Sequence, residues 1–423
     1  MNRPITKEWY RERGYPHFDW PPTRSAAEQL VTNPAAVASH AFMPLLSFEM
    51  REPRYRASDG RVEDKVRPLA CASHADAHIY SYYAALLKRP LEQRIAEPGL
   101  HDVVLAYRRM PGGKCNIHFA DEAFNEVRRR GACTAIAIDV EKFFDTLDHS
   151  RLKRAWCSLL GVDRLPPDHY AVFRSLTRFA KVDRAKLYDQ FQVGRRRQEK
   201  LRRPVCTPRE FRDHVRGGGL IEKNGERRGI PQGTPISALL SNLYMLAADE
   251  AIQTYATSRG ASYRRYSDDL LLISDTDGAE GFEAIVVAEV ERAKLTINGD
   301  KTTRSVYSLD RSGGVQADLP LAYLGFEFDG RSKRIRPKTI GRYHQRASRA
   351  VRSAKRAAAA AGSMKLKRRE LFERYTHLGK RNFVRYAHRA AHIMKDSAPR
   401  KQVRRHWQQL NQRIEEANDD LHA

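Results

Sequence analysis

The sequence predicts an α+β fold, with a small sheet backed by helices and a separate basic helical module behind it. Three observations carry this. From residue 132 onward the apolar pattern runs strand, helix, strand, strand, helix, strand. Residues 331–423 hold 26 lysines and arginines against seven acids, or +19 of a total formal charge of +25. The chain is 423 residues long and 41% hydrophobic, enough to build sizeable cores, which excludes wholesale disorder.

The elements follow in order. Residues 1–66 carry aromatic and proline punctuation (EWYRERGYPHFDWPP) followed by a helix, and read as an extension. From about residue 68 the pattern becomes helical through HADAHIYSYYAALLKRPLEQRI. A short strand (DVVLAYRR), a Pro-Gly-Gly turn at Pro111–Gly113 and a helix (FADEAFNEVRRR) come next. Residues 132–140, ACTAIAIDV, form a β-branched apolar run ending in an acid, the mark of a buried strand. A helix starts near Ser150. Residues 163–228 are polar and basic, with Arg195–Arg197 and Gly217–Gly219, and read as a partly helical insertion ending in a loop. After a turn at 231–233, SALLSNLYMLAADEAIQTYA is a helix, and SYRRYSDDLLLISD is strand, tight turn, strand. A further helix (EGFEAIVVAEVERAKL), a short element in LTINGDKTTRS and a hairpin at LAYLGFEFDG lead into helices from 335. The expected segments are therefore 1–67, 68–330 with its insertion, and 331–423.

Composition narrows the function. No run of eighteen apolar residues occurs, so no membrane-spanning helix is expected. No apolar stretch follows the charges of the amino end, so a secretory signal is not expected. Five scattered cysteines without a CxxC pair argue against a disulfide scaffold or a cysteine zinc site, and fit a reducing cytoplasm. The basic carboxy-terminal third suggests a polyanion partner, most simply nucleic acid, against the alternative of a solvated helix face.

The chemistry concentrates in Tyr266-Ser267-Asp268-Asp269, between two apolar strands. Adjacent carboxylates repel each other, so a fold that holds them at a packed rim usually supplies a cation. Asp-Asp also occurs in ordinary turns, where it bonds its own backbone. Asp139, ending the strand AIAID, offers a third carboxylate, although an aspartate there can equally be a helix cap. Three such acids suit two magnesium ions bridging a nucleotide's phosphates and an attacking hydroxyl. His74 and His78 lie four apart in a helix, a zinc-compatible spacing, but lack a third ligand and read as a surface pair. The tyrosines at 80–83 and the apolar stripe of 239–252 read as core. Asp145 and Asp148 read as caps or braces.

In these motifs the chain resembles a reverse transcriptase, an RNA-directed DNA polymerase. AIAIDVEKFFDTLDH is similar to the family's first metal motif, IPQGTPISALLSNLYM to its template and nucleotide loop, and YRRYSDDLLLI to its YxDD motif. LTINGDKT resembles the lysine-bearing motif, and YLGFEF the primer-gripping hairpin. The resemblance covers roughly 68–330. It implies a right-hand polymerase, with fingers and a palm built on a small antiparallel sheet, and a helical basic thumb beyond. It also implies metal ligation by Asp139, Asp268 and Asp269, with the Val140 carbonyl as an added ligand. Two Mg2+ ions are implied, with Mn2+ as a substitute. Phe144 falls where the family keeps an aromatic gate against a ribose 2′-hydroxyl, a buried core phenylalanine being the competing reading. Gln232 and Gly233 would meet the incoming nucleotide. Lys301 would sit by the pyrophosphate leaving group, or else be an exposed turn lysine. Arg108, Arg109 or Lys114 would bind the triphosphate, and Tyr323, Leu324 and Gly325 would grip the primer. The aromatics Tyr343, Tyr375, Phe383, Tyr386 and Trp407 lie among the arginines of the tail, where a thumb would track a duplex, or a helical bundle would simply pack.

The chain departs from some branches of the family. It has PQGTPISA where group II intron enzymes usually show PQGG…SP and retron enzymes PQGxPTSP, and it has no late VTG. RGYPHFDW, VRPLACASHADAHIYSYYA and PGGKCNIHFA are similar to bacterial defence-associated reverse transcriptases of the formerly unknown groups, type 2 among them. That resemblance implies an antiphage role, dNTP substrates, a structured noncoding RNA as template and a cDNA product. Three alternatives remain open: a group II intron-like or retron-like enzyme or maturase, an RNA-product polymerase (disfavoured by Phe144), and an RNA-binding scaffold with a vestigial site.

Overall fold

The computed structural model describes residues 9–55, 62–97, 99–194 and 203–422. The Arg195–Arg197 run lies outside the described residues. The chain forms two compact units that interleave in sequence. The first comprises Met1–Tyr107, Val140–Gln253 and Val287–Thr296; the second comprises Arg108–Asp139, Thr254–Val286 and Ile297–Ala423. The strands, in chain order, are β1 (Leu45–Tyr55), β2 (Val62–Cys71), β3 (Cys133–Asp139), β4 (Ala180–Asp183), β5 (Glu222–Lys223), β6 (Ser262–Tyr266), β7 (Asp269–Ser274), β8 (Thr303–Leu309), β9 (Val315–Ala317), β10 (Leu321–Tyr323), β11 (Phe326–Phe328) and β12 (Lys333–Ile335). Among the described residues no helix is long and apolar enough to cross a membrane.

The first unit holds a four-stranded sheet in the order β2-β1-β4-β5. β1 pairs antiparallel with β2 from Leu46↔Cys71 to Tyr55↔Val62, and parallel with β4. Residues 68–71, expected to be helical, thus belong to a strand, and the helix begins at His74. The segment 163–228 supplies β4 and β5 to this sheet and, among the described residues, the helices Pro167–Thr177 and Arg184–Gln190 and the short helical turns Pro208–Glu210 and Phe211–Arg216. Its apolar residues Val182, Leu187, Cys206 and Val215 bury together with Phe18 and Leu46.

The RGYPHFDW stretch is anchored by polar contacts. Asp19 accepts from the backbone N–H groups of His74 and Ala75, at 3.0 and 2.9 Å, at the start of helix His74–Ala96. The Tyr15 hydroxyl donates to the Ala72 carbonyl at 2.7 Å. His74 and His78, expected at the surface, are buried instead, and burial drives the His78 pKa down to about 4. His74 Nδ1 bonds Asp19 at 2.7 Å, and the His78 ring stacks on Tyr10. Tyr80 and Tyr83 are core residues, as expected.

DVVLAYRR is not a strand. Val103 and Val104 donate to the Leu100 carbonyl in a turn, and Asn242 Nδ2 donates to the Ala106 carbonyl at 2.9 Å. Four consecutive buried residues, Val103–Ala106, gave the segment a strand-like pattern, yet its backbone is satisfied by a turn and a side chain.

The second unit carries a five-stranded sheet, β6-β7-β3-β8-β9, antiparallel throughout. Cys133 and Ala135 of β3, Leu271 and Ile273 of β7 and Tyr307 of β8 share one face, as the period-2 geometry of strands requires. They bury against Ile117, Ala120, Phe124 and Val127 of helix Asn116–Arg130 and against the antiparallel sheet β10-β11-β12. The expected small antiparallel sheet backed by helices is present. Beyond it, helix Pro337–Ala360 buries Tyr343, Ala347, Val351 and Ala358, while Arg346, Arg349, Arg352 and Arg356 are exposed. Val351, Leu366, Leu371, Leu410 and Ile414 form a separate apolar cluster.

Candidate active site

β6 and β7 are joined by a two-residue turn, Ser267-Asp268, closed by the pair Tyr266↔Asp269. Ser267 has φ +64°, which marks a primed hairpin turn, the type whose twist matches the flanking strands. A serine held there costs about 1–2 kcal/mol relative to a relaxed backbone, a strain that clusters at functional sites. The fully buried Arg265 donates from Nη1 to the Ser267 carbonyl at 3.3 Å, bracing the turn.

β3 runs beside β7 with Asp139 directly opposite Asp269. Opposed residues of antiparallel strands lie about 4.5–5.5 Å apart at Cα. Asp139, Asp269, Ala137 and Leu271 share the sheet face that packs on the core, so the two acids end an otherwise apolar surface. The Asp139 carbonyl accepts from the Asn298 backbone at 2.8 Å, which starts the turn Gly299–Lys301. From that turn the Lys301 ammonium donates to Asp139 Oδ2. Asp139, Asp268, Asp269 and Lys301, which lie 129 to 162 positions apart from the first to the last three, are thereby drawn to one edge of one sheet.

Charge at this edge is unbalanced. Burial first, then the negative charges of Asp268 and Asp139, push the Asp269 carboxyl up to about 7, against the opposing pull of Arg336 and Lys301. As the side chains stand, no three histidine, cysteine, aspartate or glutamate residues among the described ones converge to hold a metal ion. The donor set nonetheless suits a hard divalent cation: all its groups are carboxylates, and the charges of Asp268 and Asp139 raise the cost of ionising Asp269. Sequence reasoning missed Arg336, which is one of many basic residues in the tail and carries no distinguishing pattern.

The β10–β11 hairpin turns through Leu324 (φ +46°) and Gly325 (φ +91°), again a primed turn. The Leu324 carbonyl accepts from Asn116 Nδ2 at 3.2 Å and the Gly325 carbonyl from the Arg336 N–H at 3.1 Å. Tyr323 is buried, its hydroxyl has no hydrogen-bond partner among the described residues, and burial raises its pKa. Arg108 and Arg109 precede the Pro111–Gly113 turn, and Lys114 after it pairs with Glu122 at 2.7 Å.

Phe144, Gln232 and Gly233 belong to the first unit. Phe144 is half-buried, and its carbonyl accepts from the Ile230 N–H at 2.9 Å, tying it to the PQG loop. The Gln232 carbonyl accepts from the Ala70 N–H at 2.8 Å. Gly233 has φ +113°, and a Cβ on it would lie 2.6 Å from the Ala70 carbonyl oxygen. Ser237 closes the loop by donating to the Pro231 carbonyl at 2.7 Å. Val140 is buried. Asp148 caps helix His149–Leu160, accepting from the Arg151 N–H, as expected.

A small antiparallel sheet that presents opposed aspartates and a lysine at its strand ends is the arrangement that the resemblance to a polymerase palm implies. Residues 167–328 match the model of the family described as reverse transcriptase (RNA-dependent DNA polymerase). On that match, residues 167–328 form a reverse transcriptase domain. The chain is 39% identical over 79 residues to the retron Ec86 reverse transcriptase of Escherichia coli, covering 17% of this chain and 23% of that one. It is 24% identical over 270 residues to the retrovirus-related Pol polyprotein from type-1 retrotransposable element R2 of Popillia japonica, covering 61% of this chain and 32% of that one. The chain thus spans at most about a third of these relatives' lengths. Among solved structures it is similar to apo telomerase from Candida tropicalis truncated from its C-terminal domain (TM-score 0.41, 11% identity, 73% of this chain and 59% of that one). It is also similar to telomerase from Candida albicans in complex with a TWJ fragment of telomeric RNA (TM-score 0.40, 10% identity, 93% of this chain and 66% of that one).

Proposed function

We propose that the chain is an RNA-directed DNA polymerase that copies a structured noncoding RNA into cDNA from dNTPs, in bacterial antiphage defence. The observation that carries the polymerase reading is Asp139 opposite Asp269, with Lys301 on Asp139, inside a chain whose residues 167–328 match the reverse transcriptase family. The defence reading rests on the resemblance of RGYPHFDW and PGGKCNIHFA to defence-associated members.

In this reading Asp139, Asp268, Asp269 and the Val140 carbonyl hold two Mg2+ ions. When bound, such ions lower the pKa of the primer hydroxyl and neutralise charge on the transferring phosphorus. The chain's residues do the rest. Lys301 leaves Asp139 and stabilises the departing pyrophosphate or donates a proton to it. Arg108, Arg109 and Lys114 offset triphosphate charge. Gln232 and the bare backbone at Gly233 meet the nucleotide's sugar and base. Phe144 excludes a 2′-hydroxyl, and the Tyr323–Gly325 hairpin positions the primer end. Residues 68–330 act as fingers and palm, and the arginines of 331–423 as a thumb along the duplex backbone.

The test is primer extension on an RNA template with dNTPs and Mg2+, beside Asp268→Asn/Asp269→Asn. Synthesis by the native chain and none by the double variant is the expected result. Wild-type synthesis by the variant would refute the site. Sequencing of RNA and cDNA that co-purify from the native host, and phage plating with the same variant, test the template and the defence role.

A further inference from the structure

The first unit contains a cavity of about 440 Å³ beside the Phe144 loop and a larger one, about 730 Å³, lined by none of the residues given a role above. The larger cavity is lined by Phe18, Phe42 and Phe211 and rimmed by Arg212, Arg216 and Lys223, and no acidic residue among the described ones lines it. Its floor is built. Phe18 and Phe211 meet edge to face with ring centres 4.9 Å apart, and the Arg216 guanidinium lies 5.8 Å over the Phe211 ring. Phe18 is buried by the anchored RGYPHFDW stretch, whereas Phe42 and Phe211 are half-buried and the three basic side chains are exposed.

We infer that this cavity receives an unpaired nucleotide of the RNA that the protein binds, its base among the phenylalanines and its flanking phosphates on Arg212, Arg216 and Lys223. Aromatic walls with a one-sided cationic rim are what single-stranded recognition requires. Stacking accepts any base, and the cations track the backbone. A cavity of this size admits a nucleobase with part of its sugar but not a duplex, so the occupant is splayed out of any helix. An acidic peptide would find the cations but leave the aromatic floor unused. An apolar peptide would leave the cations unused. RNA, rather than the DNA product, is the occupant named, because the unpaired part of a structured template is RNA. None of its lining residues belongs to the polymerase centre proposed above, so its test needs no synthesis.

Fluorescence anisotropy with a 20-nucleotide single-stranded RNA, a DNA of the same sequence and an abasic oligomer of the same length reads the site. Arg212→Glu/Arg216→Glu/Lys223→Glu is expected to weaken RNA binding at least tenfold and to reduce the salt slope by about two, roughly 0.7 for each lost phosphate contact on a single strand. The native protein is expected to bind the RNA several-fold more tightly than the abasic oligomer, and Phe42→Ala to erase that preference. Photocrosslinking of 5-iodouridine RNA to the unaltered protein is expected to mark peptides containing Phe42 or Phe211, which keeps the test independent of any variant's folding. Unchanged affinity and slope in the triple variant overturn the proposal, as do crosslinks found only elsewhere. DNA bound as tightly through the same cations overturns the choice of RNA, and displacement by polyglutamate at equal charge assigns the site to an acidic peptide. Extension of a short, fully paired primer–template by the triple variant, run in parallel, separates failure here from failure of the polymerase reading.

Discussion

Asp139 and Asp269 stand opposite each other on adjacent antiparallel strands, at the one edge of the sheet where its apolar face stops. Neither strand gains stability from the pairing, because like charges directly opposite are destabilising. In the proposed function, two acids held there against their repulsion serve as ligands for a cation. The Lys301 ammonium on Asp139 and the charge of Arg336 near Asp269 provide a partial substitute.

That relationship has a pH signature. In the unfolded chain Asp269 ionises near pH 4; in the folded chain its pKa is about 7. Its contribution to stability is therefore fully present below about pH 4 and is withdrawn as pH rises to about 7, a loss of at most about 4 kcal/mol. Asp269→Asn removes the loss. Its denaturation midpoint should match that of the native protein at pH 4 and exceed it increasingly up to pH 7, with no further divergence above. A gap independent of pH would mean that Asp269 ionises normally. Mg2+ or Mn2+ should raise the native protein's melting temperature more at pH 8 than at pH 5, and chelation should reverse the gain.

Lys301 is expected to matter to the chemical step more than to binding. Lys301→Met should lower the single-turnover extension rate by about 100-fold, the scale of a lost general acid, while the primer–template Kd changes less than about threefold. A loss confined to Kd would assign Lys301 to binding only.

How far the sequence could be read depended on what each segment's hydrogen bonds do. β3, β7 and helix Ser237–Ser258 were legible because buried apolar runs with clean turns leave their backbones only one solution, and β6 was legible as the arm that the Ser267-Asp268 turn pairs with β7. β1 and β2 were not: Glu49, Arg51 and Lys65 interrupt the apolar pattern, and the pairing between them is a long-range property. Val103–Ala106 misled for the opposite reason, an apolar run whose backbone is satisfied by a turn and by Asn242, far along the chain. At the site, Asp139, Asp268 and Asp269 announce themselves by position at strand ends. Lys301 was legible through family resemblance alone. The burial of His74 and His78 was not legible, because it depends on Asp19 and Tyr10, more than fifty residues away.

Phe144 should set the sugar preference. Its carbonyl is fixed by the Ile230 N–H, so truncating the ring leaves that backbone contact in place. Phe144→Ala should lower discrimination of dNTP over rNTP by at least tenfold in kcat/KM, mainly by improving rNTP use. Unchanged discrimination would make Phe144 a packing residue.

Gly233 tests whether the PQG loop needs its close backbone approach. Its φ of +113° is open to glycine and strained for any L side chain, and a methyl group there would press to 2.6 Å from the Ala70 carbonyl oxygen. Neither strand β2 nor the loop can retreat freely, because the Ala70 N–H donates to the Gln232 carbonyl at 2.8 Å and Ser237 ties Pro231. Gly233→Ala should therefore cost roughly 2–4 kcal/mol, combining backbone strain with loss of the Ala70–Gln232 hydrogen bond. Chemical denaturation reads the cost directly. Gly325→Ala is the control: its φ is also positive, at +91°, but no atom lies within 4 Å of the added carbon, so only the strain remains. Equal losses in the two variants would show that the contact with Ala70 contributes nothing beyond conformation.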